Sequence, residues 1–125
     1  MTADDPHLPR AAAIDAYGKG GFRFAEMSHR GSILVLPSGI RAWNVAEARG
    51  IDRTVLRPVQ AEAEAIELLL IGTGLEIVAL PADLRAWLKQ SGIGLDVMQT
   101  GAAARTYNIL MAENRKVAAA LIAVA

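Results

Sequence analysis

Gly72-Thr73-Gly74, directly after the apolar run Ile66–Ile71, is the first spacing in the chain that invites chemistry. Glycines at a strand exit let a phosphate approach the backbone, and Asp96 stands about 20 residues on, near the place of a ribose-binding acid. The fingerprint breaks at its third glycine, where Ile77 stands, and the β-rich stretch Leu75–Leu80 runs into Pro81. No helix N-terminus follows the glycines to hold a pyrophosphate, so a plain strand-exit turn is the better reading. The Gly-Lys pair Gly18-Lys19 lacks the Ser or Thr that would reach Mg²⁺.

A second segment is richer. Thr100, Gly101, Arg105, Thr106, Tyr107 and Asn108 gather hydroxyls, an amide and a cation around a predicted helix start. Ligand crevices form outside the C-terminal ends of parallel strands, and Gly72, Thr73 and Gly74 should exit on the same edge. The crevice between Gly72–Gly74 and Thr100–Asn108 is therefore the candidate site, with helix N–H groups, the Thr100 hydroxyl and Arg105 available to an anion or a partner's carboxylate. The competing account is structural and stronger: Thr100 caps the helix, the alanines permit close packing, and Tyr107 and Asn108 satisfy buried backbone groups. The segment holds no evident nucleophile or general base.

The remaining polar residues form no reactive set. His7 and His29 lack a second His at ligand spacing. Ser28, Ser32, Ser38 and Ser91 lie outside any Gly-x-Ser-x-Gly elbow. Glu62, Glu64 and Glu67 straddle helix and strand candidates and read as a solvated face. The chain thus predicts no catalytic residue, no cofactor and no metal.

The elements that must position these residues follow from turn chemistry and periodicity. Ile14–Tyr17 and Phe22–Phe24, split by Gly18-Lys19-Gly20-Gly21, predict a hairpin. Ser32–Leu36 reads as a strand buried on both faces, and Pro37-Ser38-Gly39 turns the chain into Ile40–Val45. A helix is expected within Asp52–Glu64, kinked or opened by Pro58. Ile66–Ile71 reads as a central parallel strand. Pro81 and Asp83 open a helix with Leu84, Trp87 and Leu88 on one face, and Gly92 closes it. Ile93–Met98 alternates as a strand, which completes a βαβ unit over Ile66–Met98. Ala102 to about Glu113 reads as a helix ending near Asn114, whereas alanine-rich Lys116–Val124 fits helix or strand equally. The domain is α/β, with antiparallel strands first and parallel strands with helices after.

With 125 residues, 53% hydrophobic and 21% charged, the chain makes one domain, expected over 11–125 behind a disordered lead over 1–10. No cysteine is present, which removes disulfides, thiolate metal sites and cysteine nucleophiles. Thirteen basic residues balance thirteen acidic ones, so no general field draws the chain to nucleic acid. That neutrality is regional cancellation, since Arg41–Arg57 is basic and Glu62–Asp83 acidic; the two stretches are expected on different faces. Acidic Asp4-Asp5 and the prolines after them argue against a secretory or mitochondrial leader, and Val117–Ala125 is far shorter than the roughly 20 residues of a membrane span. The expectation is a cytoplasmic protein without a transmembrane segment, free to associate peripherally with the inner face of a membrane.

Four stretches carry a family resemblance: Leu69-Leu70-Ile71-Gly72-Thr73-Gly74; Gly92 to Met98; Thr100 to Leu110 with its Thr106-Tyr107-Asn108 element; and Glu113-x-Arg115-x-Val117 to Leu121. Together they resemble the family of mitochondrial complex I assembly factor three and its uncharacterised bacterial and archaeal relatives, over nearly the whole chain from Ile14 to Leu121. The resemblance implies a three-layer α/β domain with a central mixed sheet, in which Lys116–Ala123 is a strand antiparallel to the others. It also implies work through protein partners, such as another assembly factor or respiratory complex subunits, and no established catalytic residue.

Two functions are carried forward. The leading one is a non-enzymatic protein-interaction module that assists a membrane-associated respiratory complex, through a surface patch at Trp43, Phe22 or Arg49, Arg53 and Arg57. The alternative is a small-molecule or anion-binding protein, conceivably an enzyme, using the crevice named above. Nucleic-acid contact through Arg49–Arg57 is the weakest reading, because Glu47 and Asp52 interrupt the arginines.

Overall fold

The computed structural model describes residues 6–125. Among them the chain forms β1 (Pro6–Leu8), β2 (Ala16–Gly18), β3 (Gly21–Phe24), β4 (Met27–Arg30), β5 (Ile33–Leu36) and β6 (Gly39–Ala42). There follow α1 (Arg53–Ala61), β7 (Leu68–Gly72), α2 (Ala82–Gln90), β8 (Gly94–Met98), α3 (Thr100–Ala112) and β9 (Val117–Leu121). The main sheet has the order β1-β6-β5-β9-β7-β8, and β2-β3-β4 make a separate antiparallel sheet.

Three layers result from the two-residue alternation of the central strands. Leu69 and Ile71 of β7 face a core shared with Leu56 and Val59 of α1 and Leu84 and Leu88 of α2. Leu70, on the opposite face, packs with Ala103, Ala104 and Tyr107 of α3 and with Phe22 and Phe24 of the small sheet. Each leucine so buried contributes about 1.5–3 kcal/mol of transfer free energy to holding the layers together.

The predicted βαβ unit is present: β7 and β8 pair in parallel, Leu70 opposite Asp96, across α2. Gly92 ends that unit's helix with φ +82°, which side-chain-bearing residues adopt at a cost. Helix α1 starts on Asp52, whose carboxylate accepts the Val55 N–H at 3.0 Å. Pro58 lies inside it rather than at its start. Proline cannot donate to the preceding turn, and in that turn the Trp43 indole N–H donates to the Val55 carbonyl at 2.9 Å.

Strand β9 resolves the ambiguity of the alanine-rich stretch. Ala118, Ala119 and Ala120 are fully buried, with helices on one face and α3 on the other. The strand is antiparallel only toward β5, pairing Leu34 with Ala120; toward β7 it is parallel, pairing Leu70 with Ala119. Helix α3 carries the chain back across the sheet, so β9 must start at the same end as β7 and β8.

Two further differences concern the N-terminal part. Residues 1–5 of the expected lead lie outside the described residues, whereas Pro6–Leu8 pairs with β6 as an edge strand, where proline's missing N–H is tolerated. A Cβ on Gly39 would collide with the Leu8 carbonyl, so glycine permits that approach. The turn region around His29 is strand β4, which lacked the apolar alternation that announces a strand.

Candidate functional site

The loops leaving β7 and β8 do share an edge, and the two segments touch directly. A Cβ on Gly72 would lie 2.7 Å from Thr100 Cα, so glycine is what lets β7 and the start of α3 meet. Thr100 is fully buried, and its hydroxyl donates to the Ile122 carbonyl at 2.7 Å and accepts the Gly74 N–H at 3.0 Å. Its own N–H donates to the Gly74 carbonyl at 2.9 Å. Thr100 is the first helical residue and Gln99 occupies the cap position, with no side-chain cap bond. The threonine expected as a cap therefore ties three chain segments together.

Thr73 acts similarly on the loop. Its buried hydroxyl lies within bonding distance of the Glu76 carbonyl at 2.6 Å and accepts the Val78 N–H at 3.1 Å. The Thr73 N–H donates to the Met98 carbonyl at 2.9 Å. These bonds fold residues 73–78 into a fixed shape with no strand character.

The remaining members of the predicted crevice diverge. Gly101 lies under Tyr17, where a Cβ would collide with the phenol, and Arg105 Nη1 donates to the Tyr17 hydroxyl at 3.0 Å. Thr106 is half-buried on α3. Tyr107 is buried in the core, its hydroxyl 3.3 Å from Met111 Sδ, and burial pushes its pKa up to about 12. Loss of the phenolic proton is thus opposed by desolvation. Asn108 clamps the backbone ahead of β2: its Oδ1 accepts the Ile14 N–H and its Nδ2 donates to the Ile14 carbonyl, each at 2.8 Å. The structure brings Gly72, Thr73, Gly74 and Thr100 together and sends Arg105, Tyr107 and Asn108 elsewhere.

Ser32 is a residue that sequence reasoning passed over. Its buried hydroxyl donates to the Val45 carbonyl at 2.6 Å and accepts the Ala123 N–H at 2.9 Å. It braces the stretch after β9 from one side as Thr100 does from the other. No local signal marks it, because both partners are distant in sequence.

The exposed apolar surface is also not where it was expected. Trp43 and Phe22 are buried, at 5% and 3% exposure, and so form no patch. Leu75, Ile77 and Val78 instead stand at 71%, 64% and 43% exposure on the loop that Thr73 and Thr100 fix. The loop borders a groove of about 680 Å³ walled by residues 46–49 and 122–125. Arg49, ion-paired to Glu47 at 2.8 Å, lines that groove together with Glu76. Arg53 and Asp83 share a neighbouring hollow, and the Arg53 guanidinium lies 5.7 Å over the Trp87 ring. The basic and acidic stretches therefore adjoin rather than occupy separate faces.

Among the described residues no three His, Cys, Asp or Glu side chains gather as a metal-holding group, and no helix is long and apolar enough to cross a membrane.

Comparison with known proteins gives a consistent result. Residues 14–122 match the family described as a protein of unknown function, DUF498/DUF598. An uncharacterised protein of Rhodobacter capsulatus is 38% identical over 122 residues, covering 98% of this chain and 93% of its own length. NADH dehydrogenase [ubiquinone] 1 alpha subcomplex assembly factor 3 of Xenopus tropicalis is 32% identical over 109 residues, 87% of this chain. The match takes in only 60% of that longer protein. Among solved structures, an outer membrane protein from Bartonella henselae superposes with a TM-score of 0.92 at 51% identity, over 95% of this chain and all of that one. A Rhodopseudomonas palustris protein superposes at 0.84 with 50% identity, over 100% of this chain and 92% of that one.

Proposed function

The chain belongs to the DUF498/DUF598 family, and on that premise we propose that it is a non-enzymatic protein-interaction module that assists assembly of a membrane-associated respiratory complex. The observation that carries this reading is the loop bearing Leu75, Ile77 and Val78, whose apolar side chains face solvent although the backbone beneath them is fixed. Apolar side chains presented together on an ordered loop are what a protein partner buries, whereas scattered exposed residues need no explanation. Assembly factor 3 relatives supply the direction: the partners are respiratory complex subunits or a second assembly factor. The site of work is the cytoplasmic side of the membrane, with the chain bound peripherally through its partner.

Within this reading the predicted crevice residues Gly72, Thr73, Gly74 and Thr100 serve as positioning residues for the docking loop. The Thr73 and Thr100 hydroxyls are engaged with backbone groups of the chain itself.

The test is affinity purification of the tagged full chain from native membranes. Respiratory complex subunits or another assembly factor should co-purify with the wild-type chain and be lost with Leu75→Ser/Ile77→Ser/Val78→Ser. Recovery of the same partners by the loop variant would remove the loop from the interface. Recovery of none, together with normal respiratory complexes in a deletion strain, would overturn the function.

A further inference from the structure

The small sheet carries a feature that the interaction reading does not use. Phe22 and Phe24 of β3 point into the core, which leaves Arg23 on the outer face, paired with Ala16 of β2 and Ser28 of β4. A hollow of about 590 Å³ opens on this sheet. Ala16, Gly18 and Gly21 line it with almost no side-chain bulk, while Lys19, Arg23 and Arg30 supply three positive charges.

Among the described residues no carboxylate lines the hollow, although Asp15 and Glu26 lie close by in sequence. Among the described residues the ion pairs are Arg49 with Glu47 and Arg115 with Glu67, so Lys19, Arg23 and Arg30 take no part in one. In a chain with thirteen charges of each sign, such local segregation leaves a self-repulsion that folded domains ordinarily relieve by mixing signs. A bound anion relieves it. Guanidinium forks grip tetrahedral oxyanions through paired N–H bonds, and the exposed Ser28 hydroxyl adds a neutral donor.

We propose that the hollow formed by Lys19, Arg23 and Arg30 over Ala16, Gly18 and Gly21 is a binding site for the phosphate group of a phosphate-bearing anion. The composition suits a dianion, because three cations border one small-residue floor and no acid among the described residues lines it. Attraction of this kind weakens as salt rises, since the site is open to solvent.

The experiment uses two phosphate sources with the full-length chain. Pyrophosphate is titrated into ¹⁵N-labelled protein and followed by NMR, with the affinity taken from calorimetry, and flotation is measured with phosphatidylcholine vesicles with and without phosphatidic acid. Binding should shift the amides of Lys19–Arg23 and Ser28–Arg30 and fall at least tenfold in Arg23→Ala/Arg30→Ala. Ala16→Glu, which puts a carboxylate on the floor while keeping every cation, should cause a similar loss. Lys89→Ala, an exposed cation on α2 at the other face of the main sheet, should stay within twofold of wild type. Retention by phosphatidic acid vesicles alone assigns the phosphate to a lipid headgroup, and pyrophosphate binding assigns it to a soluble ligand. The proposal is overturned if neither probe binds, or if Lys89→Ala loses as much as the double arginine variant.

Discussion

Two segments leave the same edge of the sheet, one after β7 and one after β8, and they are solvated in opposite senses. The segment after β8 carries Thr100, Arg105, Thr106, Tyr107 and Asn108, a composition that suggests a wet binding site. Thr100 and Tyr107 are buried there, and Thr100 and Asn108 spend their polar atoms on backbone groups at Gly74, Ile122 and Ile14. The segment after β7 carries Leu75, Ile77 and Val78, a composition that suggests core, and those side chains face water. The difference teaches that residue type says what a side chain can do, while its partners elsewhere in the chain decide which capacity is used. A buried hydroxyl that meets two backbone groups cannot also serve a ligand, and a leucine held out on a braced loop has no partner within the chain.

The comparison breaks first at Thr100. Thr100→Val keeps the shape but removes the hydroxyl, leaving the Ile122 carbonyl and the Gly74 N–H without their bonds. Each buried unmet group costs about 1–3 kcal/mol, so a loss of about 2–4 kcal/mol in urea unfolding is expected. A loss under about 1 kcal/mol would show that the threonine is no brace. Asn108→Leu should come next, at about 1–3 kcal/mol, because both of its bonds go to Ile14 across a partly buried seam. The triple serine variant of the loop should unfold within about 0.5 kcal/mol of wild type while abolishing partner recovery, since exposed positions carry little folding energy. Were it strongly destabilised, the loop would be core after all.

The exposed ion pair of Arg115 with Glu67, at 2.6 Å, marks the small end of the scale. The Arg115 guanidinium holds the Glu67 carboxyl below its ordinary value. Its contribution is therefore present above the ordinary carboxylate pKa and lost as pH falls through the lower folded value. Arg115→Ala should raise the Glu67 pKa in an NMR titration with little change in unfolding midpoint at neutral pH. An unchanged Glu67 pKa would show that the contact is not populated in solution.

Much of the fold could be read from the residues themselves. Leu84 and Leu88 with Gly92, the run Ile66–Ile71 and the alternation Ile93–Val97 are local signals, and each became the expected element. The hairpin over Gly18-Lys19-Gly20-Gly21 followed from its glycines, of which Gly18 and Gly20 take positive φ. Strand β9 could not be read by period, because alanine is apolar on both faces and prefers helix when free; its neighbours β5 and β7 impose the strand. Trp43 was misplaced for a related reason. Its burial depends on α1, whose Val55 carbonyl takes the indole proton. The bonds of Thr100 and Ser32 likewise reach Ile122 and Ala123, contacts that exist only once the sheet has closed.

The position of β9 also has a consequence for the order of folding. It is the last strand along the chain and lies between β5 and β7. Until residues 117–121 insert, β1-β6-β5 and β7-β8 are two separate ribbons, each with a bare, apolar inner edge. Joining them demands contacts between strands more than 80 residues apart, such as Val35 with Ala119. Folding should therefore be slowed by chain closure, and any fragment that stops before Val117 would present two open edges to its neighbours. The chain is most prone to aggregate in the interval before its middle strand arrives.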